Sequence, residues 1–220
     1  MIRGSSDFFN KALGNEWKEA TERVVKLPED KLDIFRLYMH WLYCDTIPTK
    51  TTKPKLDNEH KRLAKAYILG DKVQDLGFCD AIMDAIIHKM YSAGGGKGHA
   101  HPNINTIVYV YKRTLPSSKL RQVYAALHAY HADETWHNKW AKRDELPKDF
   151  LLDMAMLYVD KSANMNPLNL FESTCKYHQH GSEPCYKDAV PKEALEKGVK
   201  LIPWDVLNVK LLPLYDVLIN

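Results

Sequence analysis

The chain has 220 residues, of which 45% are hydrophobic and 27% charged, and these values are typical of a globular domain rather than a disordered or low-complexity chain. Its formal charge of +3 is too small to indicate nucleic acid or an anionic membrane as the partner. No stretch approaches the roughly 18 consecutive apolar residues of a membrane span, and the N-terminus has no apolar secretion signal. The sequence therefore predicts an intracellular protein of the cytoplasm, the nucleus or both, with no membrane partner.

Apolar residues recur at helical spacing through the first ninety residues, which predicts a mostly helical structure. A short helix is expected to end near Gly14, and a stronger one is expected to begin after Asp30, which can cap it. Two further helices follow, and Gly77 is expected to separate them. The helix after Asp30 has the clearest buried face, formed by Ile34, Phe35, Tyr38, Trp41 and Leu42.

A run of four glycines in five residues interrupts this pattern and predicts a flexible connector, which we assign to residues 93–103. Helical spacing resumes beyond it and predicts a helical extension over residues 104–165. The prolines that follow predict an irregular tail over residues 166–220, with a short helix at 191–197.

Strand signals are scarce. The β-branched pair Val24 and Val25 predicts a strand over residues 22–27, and a weaker one is expected at 46–48. The predicted fold class is therefore α+β and mostly α-helical. One strong and one weak strand cannot form a sheet with its own core. Either the prediction of the first strand is therefore wrong, or the strands that pair with it lie outside this chain.

Seven blocks spread over residues 5–160 resemble the middle of a BTB/POZ domain, in the form found in fungal BTB domain-containing proteins. The last two blocks resemble the helical extension that follows such domains. None of the blocks is catalytic, and their specificity comes from their number and order. They lie at residues 6–13, 17–20, 25–30, 34–43, 63–75, 106–111 and 146–150.

The resemblance implies an α/β protein-interaction module, with a partial BTB/POZ domain over residues 1–92. It implies other proteins as partners, either a BTB-type partner or the cullin scaffold of a ubiquitin ligase, for which the chain would be a substrate adaptor. Family members carry N-terminal strands and a first helix that this chain lacks, and these elements form the usual dimer surface, so a homodimer of that kind is not expected. The chain is then either a truncated gene product with no independent function or a short form that pairs its open edge with another chain.

The sharpest local pattern is C-x2-H-x-H-x4-C, formed by Cys175, His178, His180 and Cys185. Thiolate and imidazole are the ligands that zinc takes in proteins, and four of them make a closed structural site. The surrounding residues show little periodicity, so a bound ion would supply order that packing does not. The pattern predicts one structural zinc ion in this loop.

Two other interpretations of the same residues stay open. Four ligands within eleven residues is a cramped arrangement. Zinc sites usually have two short ligand pairs separated by a longer segment, and this spacing is absent here. The cysteines and histidines are alternatively ordinary loop residues. A disulfide between Cys175 and Cys185 is the other alternative, although an intracellular protein disfavours it.

No pattern in the sequence indicates an enzyme, and we predict a non-catalytic protein with no further cofactor. The glycine run is not a phosphate-binding loop, because Gly98 follows Lys97 where a serine or threonine is needed. The alternative function is a nucleic-acid-associated transcriptional regulator, suggested by a basic stretch and by the zinc-like loop. Nucleic acid is the less favoured partner. The basic stretch consists of Lys50, Lys53, Lys55, Lys61, Arg62 and Lys65.

Overall fold

The computed structural model describes residues 6–14, 18–22, 24–48, 59–92, 101–131, 145–161 and 174–189. Eight α-helices lie in this part of the chain: α1 Asp7–Gly14, α2 Lys18–Glu22, α3 Leu32–Cys44, α4 Glu59–Val73, α5 Leu76–Ser92, α6 Ile104–Arg113, α7 Lys119–His131 and α8 Lys148–Lys161. Two short 3-10 helices follow, Thr174–Tyr177 and Tyr186–Ala189. None of these helices combines the length and the apolar composition needed to cross a membrane.

The predicted α+β fold class is wrong for the part of the chain that the structure describes, which contains helices and no strand. Residues 24–27 and 46–48 are both described, and neither segment pairs with another. Val25 and Leu27 are buried while Lys26 is exposed, so buried and exposed side chains alternate here as they would in a strand. These residues form no strand, because a local β preference makes one only where a neighbouring segment completes the ladder of hydrogen bonds.

The chain divides into two compact units. The first consists of residues 1–82 with 182–220, and the second of residues 83–181. The predicted helix at 191–197 and most of the predicted connector lie outside the described residues.

An aromatic cluster forms the core of the first unit, where α3 packs on α4 and α1 contacts α4. The ring of Tyr38 lies 6.4 Å from that of Phe9 and 4.9 Å from that of Phe78, measured between centroids. The stripe expected on α3 is confirmed as a buried face, because all five of its residues are at most 8% exposed. Helical spacing identified this face correctly because the buried positions of a helix recur every three to four residues.

The start of α3 differs from the prediction. Lys31 is its N-cap residue and makes no side-chain capping bond. Asp30 instead accepts a hydrogen bond from Lys72 of α4, with 2.7 Å between Oδ2 and Nζ. The side chain of Asp30, which the local pattern predicted as the cap of α3, thus makes a tertiary contact instead.

The break between α4 and α5 lies at Gln74 and Asp75 rather than at Gly77, which is inside α5. Gln74 has a left-handed backbone with φ of 56°. Asp75 then caps α5, since its Oδ1 accepts a hydrogen bond of 2.9 Å from the backbone N–H of Phe78. Its Oδ2 accepts a second bond, of 3.0 Å, from the hydroxyl of Tyr38, so this buried carboxyl joins the cap to the aromatic core.

The wild-type protein is expected to lose stability as the pH rises above about 4, and replacing Asp75 with asparagine should make this loss smaller. Burial raises the pKa of Asp75, an effect only partly opposed by the bonds from Phe78 and Tyr38. Because the pKa of Asp75 is higher in the folded state than in the unfolded state, the folded protein binds the proton more tightly. The free energy of unfolding therefore falls as the pH rises from the unfolded-state pKa through the folded-state pKa. Urea unfolding between pH 4 and 8 measures the effect, with the exposed Asp33→Asn as control. An unchanged pH dependence in Asp75→Asn would contradict it.

In the second unit, α8 packs on α7 and both contact α6. Asn103 caps α6, its Oδ1 accepting a bond of 3.0 Å from the backbone N–H of Thr106. Tyr124 and Phe150 are fully buried between these helices, and the hydroxyl of Tyr111 donates a bond of 2.6 Å to Asp153 of α8. The second unit therefore has a core of its own.

Arg121 of α7 is buried in this unit, with only 5% of its surface exposed. Its guanidinium donates hydrogen bonds to the carbonyl oxygens of Tyr111, at 2.6 Å, and of Thr114. It also lies 4.6 Å from the centroid of the Tyr111 ring and 3.6 Å from the carboxylate of Asp149. The side chain thus satisfies the carbonyl groups that α6 leaves unpaired at its C-terminal end.

Candidate metal centre

The loop of residues 175–185, here called the Cys/His loop, places a cysteine at each end beside a tight turn. Cys175 lies in the first 3-10 helix, and its carbonyl accepts a bond of 3.0 Å from the backbone N–H of His178. Cys185 precedes the second, and its carbonyl accepts a bond of 2.9 Å from the N–H of Asp188. The carboxylate of Asp188 accepts in return from the N–H of Cys185, at 3.2 Å.

Gly181 reverses the chain between the histidines and Cys185. Its φ of +60° lies in the left-handed region, which glycine adopts without the steric cost that a side chain brings. A Cβ atom at this position would meet nothing within 4 Å, so the demand for glycine is conformational and not a matter of space.

The structure brings together all four residues that the sequence pattern predicted. One ligand atom from each of Cys175, His178, His180 and Cys185 lies within 4.8 Å of the other three. In a tetrahedral zinc site with these ligands, neighbouring ligand atoms are separated by about 3.3–3.8 Å, as follows from zinc bonds of about 2.0–2.3 Å. The group can therefore hold a metal ion after a small contraction, and neither Cys175 nor Cys185 is in a disulfide.

His178 is held by a contact with a helix that is distant in sequence. Its Nε2 lies 3.1 Å from Oδ1 of Asp84, in the middle of α5 and 94 residues earlier in the chain. The side chain of His178 has no exposed surface, and that of Asp84 is 17% exposed. Nothing in the local pattern around Asp84 marks it, so sequence reasoning missed this residue.

The other histidine leaves one ring nitrogen without a partner. Nδ1 of His180 lies 3.1 Å from the carbonyl oxygen of Gly181, while its Nε2 is buried and has no hydrogen-bond partner. A buried polar atom with no partner costs about 1–3 kcal/mol, so such atoms are rare unless something binds them. A metal ion would satisfy this nitrogen, which makes the loop chemically suited to one.

The outer side of the loop is tied to α7 by a lysine. Lys119 donates a hydrogen bond of 3.0 Å from Nζ to the carbonyl oxygen of Lys176, next to Cys175. Lys176 itself lies over the ring of Tyr177, at 4.8 Å from the centroid, and burial lowers the pKa of its ammonium group. The loop is therefore joined to α7 through its backbone, at the residue that follows Cys175.

The basic stretch is only partly described. Lys50, Lys53 and Lys55 lie outside the described residues, whereas Lys61, Arg62 and Lys65 lie on α4. Burial lowers the pKa of Lys65, and the nearby charges of Lys31 and Lys61 lower it further. The described half thus includes an amine that is partly removed from solvent.

No protein-family model, no curated protein and no solved structure matches this chain. The resemblance to BTB/POZ domains therefore stays a prediction. The features of the chain that bear on its function are the geometry of the Cys/His loop and the surfaces of the helices.

Proposed function

We propose that this chain is a non-catalytic, helical protein-interaction module whose Cys/His loop holds one structural zinc ion. The observation that carries the proposal is the gathering of two sulfur and two nitrogen ligand atoms within 4.8 Å of one another. Thiolate and imidazole together select zinc over the hard cations magnesium and calcium, which take oxygen ligands.

Four protein ligands support a structural rather than a catalytic ion. A catalytic zinc keeps one position open for water or substrate, and a complete set of two cysteines and two histidines leaves none. The loop contains little regular structure besides its two four-residue 3-10 helices. An ion that binds four side chains of this segment only when the segment is folded adds its binding free energy to the free energy of folding.

Exposed apolar side chains on α8 support the protein-interaction role. Leu152 and Met156 are one helical turn apart, and 61% and 57% of their surfaces are exposed. Large apolar side chains that lie exposed next to one another on a helix suit a protein interaction site. Among the proteins that the resemblance implies as partners, the cullin scaffold is the one that can be tested directly.

The zinc proposal is tested by native mass spectrometry of the full chain, purified without chelator. We expect one zinc ion per chain in the wild type and none in the double variant Cys175→Ala/His178→Ala. The matched control is Cys44→Ala, which removes an exposed thiol outside the loop and should keep the ion. Zinc retained by the double variant, or absent from the wild type, would exclude a site in this loop.

The adaptor role is tested separately, by direct binding of the zinc-loaded chain to a purified cullin scaffold. Saturable binding supports the adaptor. If the zinc-loaded chain is folded and does not bind the cullin scaffold, the adaptor role is excluded, and the structural zinc site is unaffected by that result.

A further inference from the structure

The two histidines of the Cys/His loop use opposite ring nitrogens for their hydrogen bonds. An ionised carboxylate only accepts, so the contact of His178 with Asp84 requires the proton on Nε2 and leaves a lone pair on Nδ1. A carbonyl also only accepts, so the contact of His180 with Gly181 requires the proton on Nδ1 and leaves a lone pair on Nε2. This Nε2 is the buried nitrogen that has no partner.

We infer that Asp84 is a positioning residue for the metal: its carboxylate holds His178 so that Nδ1 binds the ion, while His180 binds through Nε2. The inference rests on the proposed zinc site, and Asp84 is the residue of α5 that orients one of its ligands. Asp84 and His178 belong to the same unit, residues 83–181, so the contact lies within one compact body.

The physical basis is the stabilisation of one tautomer and one ring orientation. A carboxylate that accepts from the free N–H of a metal-bound histidine prevents the ring from turning and makes the opposite nitrogen more basic. The side chain of His178 has no exposed surface in the folded chain, so Asp84 rather than bulk water is the partner that holds its Nε2. The cost of losing Asp84 should therefore appear in metal affinity.

The test is the zinc dissociation constant of the full chain, measured by competition with a chromophoric chelator. Asp84→Ala removes the acceptor and is expected to weaken zinc binding about 10–100-fold. Asp84→Asn keeps an oxygen that can accept from Nε2, so its affinity should lie between those of Asp84→Ala and the wild type. The control is Glu183→Gln, which removes an exposed carboxylate from the loop itself and should leave the affinity unchanged.

A second readout separates positioning from a general loss of structure. In the zinc-loaded wild type, long-range 15N–1H correlation spectra are expected to show His178 protonated on Nε2 and His180 protonated on Nδ1. Zinc bound through Nε2 of His178 would overturn the inference. If Asp84→Ala does not fold, Asp84→Asn and the tautomer spectrum of the wild type still decide.

The inference and the proposed function fail differently. Wild-type affinity in both Asp84 variants, with one zinc bound, overturns the positioning role and leaves the structural zinc site intact. A wild-type chain that binds no zinc overturns both.

Discussion

Replacing Cys185 with serine is expected to abolish zinc-dependent stabilisation of the fold. In the wild type, an ion that binds only the folded state raises the free energy of unfolding by about 2.7 kcal/mol at a free zinc concentration 100 times the dissociation constant, and by about 4 kcal/mol at 1,000 times. Cys185 is 9% exposed, and serine there removes a ligand while changing the side-chain volume little. Urea unfolding in zinc-buffered solution and in chelator measures the difference.

The matched control is Cys44→Ser, which makes the same chemical change at an exposed cysteine outside the loop. It should unfold like the wild type in both solutions. Equal stability of the wild-type chain with and without zinc would contradict a structural ion. A Cys185→Ser variant that still gains stability from zinc would show that the ion binds elsewhere.

Replacing Arg121 with methionine is expected to lower the free energy of unfolding by about 2–4 kcal/mol, because it leaves acceptors at the end of α6 without donors. Its hydrogen bonds to the carbonyl oxygens of Tyr111 and Thr114 come from a charged donor, and the Tyr111 oxygen bond is buried. The ion pair with Asp149 contributes little to this figure, since that carboxylate is 71% exposed.

Urea unfolding of Arg121→Met measures this effect, with Gln122→Met as the matched control. Gln122 is the next residue on α7 and is exposed, so its replacement should change the stability by less than about 0.5 kcal/mol. Equal losses in the two variants would show that the buried guanidinium has no special role.

Helix content and the metal ligands were accessible from the sequence for a common physical reason. The stripe on α3 recurs at the period of the helix, and the four candidate ligands lie within eleven residues, so chain connectivity alone keeps them near one another. Interactions between residues close in sequence depend on local geometry, which periodicity and spacing describe. These are the features that sequence reasoning predicted and the structure also contains.

The errors came from features that depend on residues far apart. Val24 and Val25 have a strand preference, but a strand needs a paired neighbour, and Val25 is buried without one. Asp30 was predicted to cap α3 and instead pairs with Lys72, 42 residues later. The helix break assigned to Gly77 lies at Gln74 and Asp75, and the carboxyl of Asp75 accepts a hydrogen bond from Tyr38, 37 residues earlier.

The sequence by itself determined the buried face of α3 and which four side chains of the Cys/His loop could bind a metal, because both follow from the local period and spacing of the chain. The tertiary structure alone decided that Asp84 contacts His178 and that Arg121 is buried at the end of α6. It also decided that residues 24–27 pack without pairing as a strand. Such contacts join positions whose separation along the chain carries no information about distance, so only the folded chain brings them together.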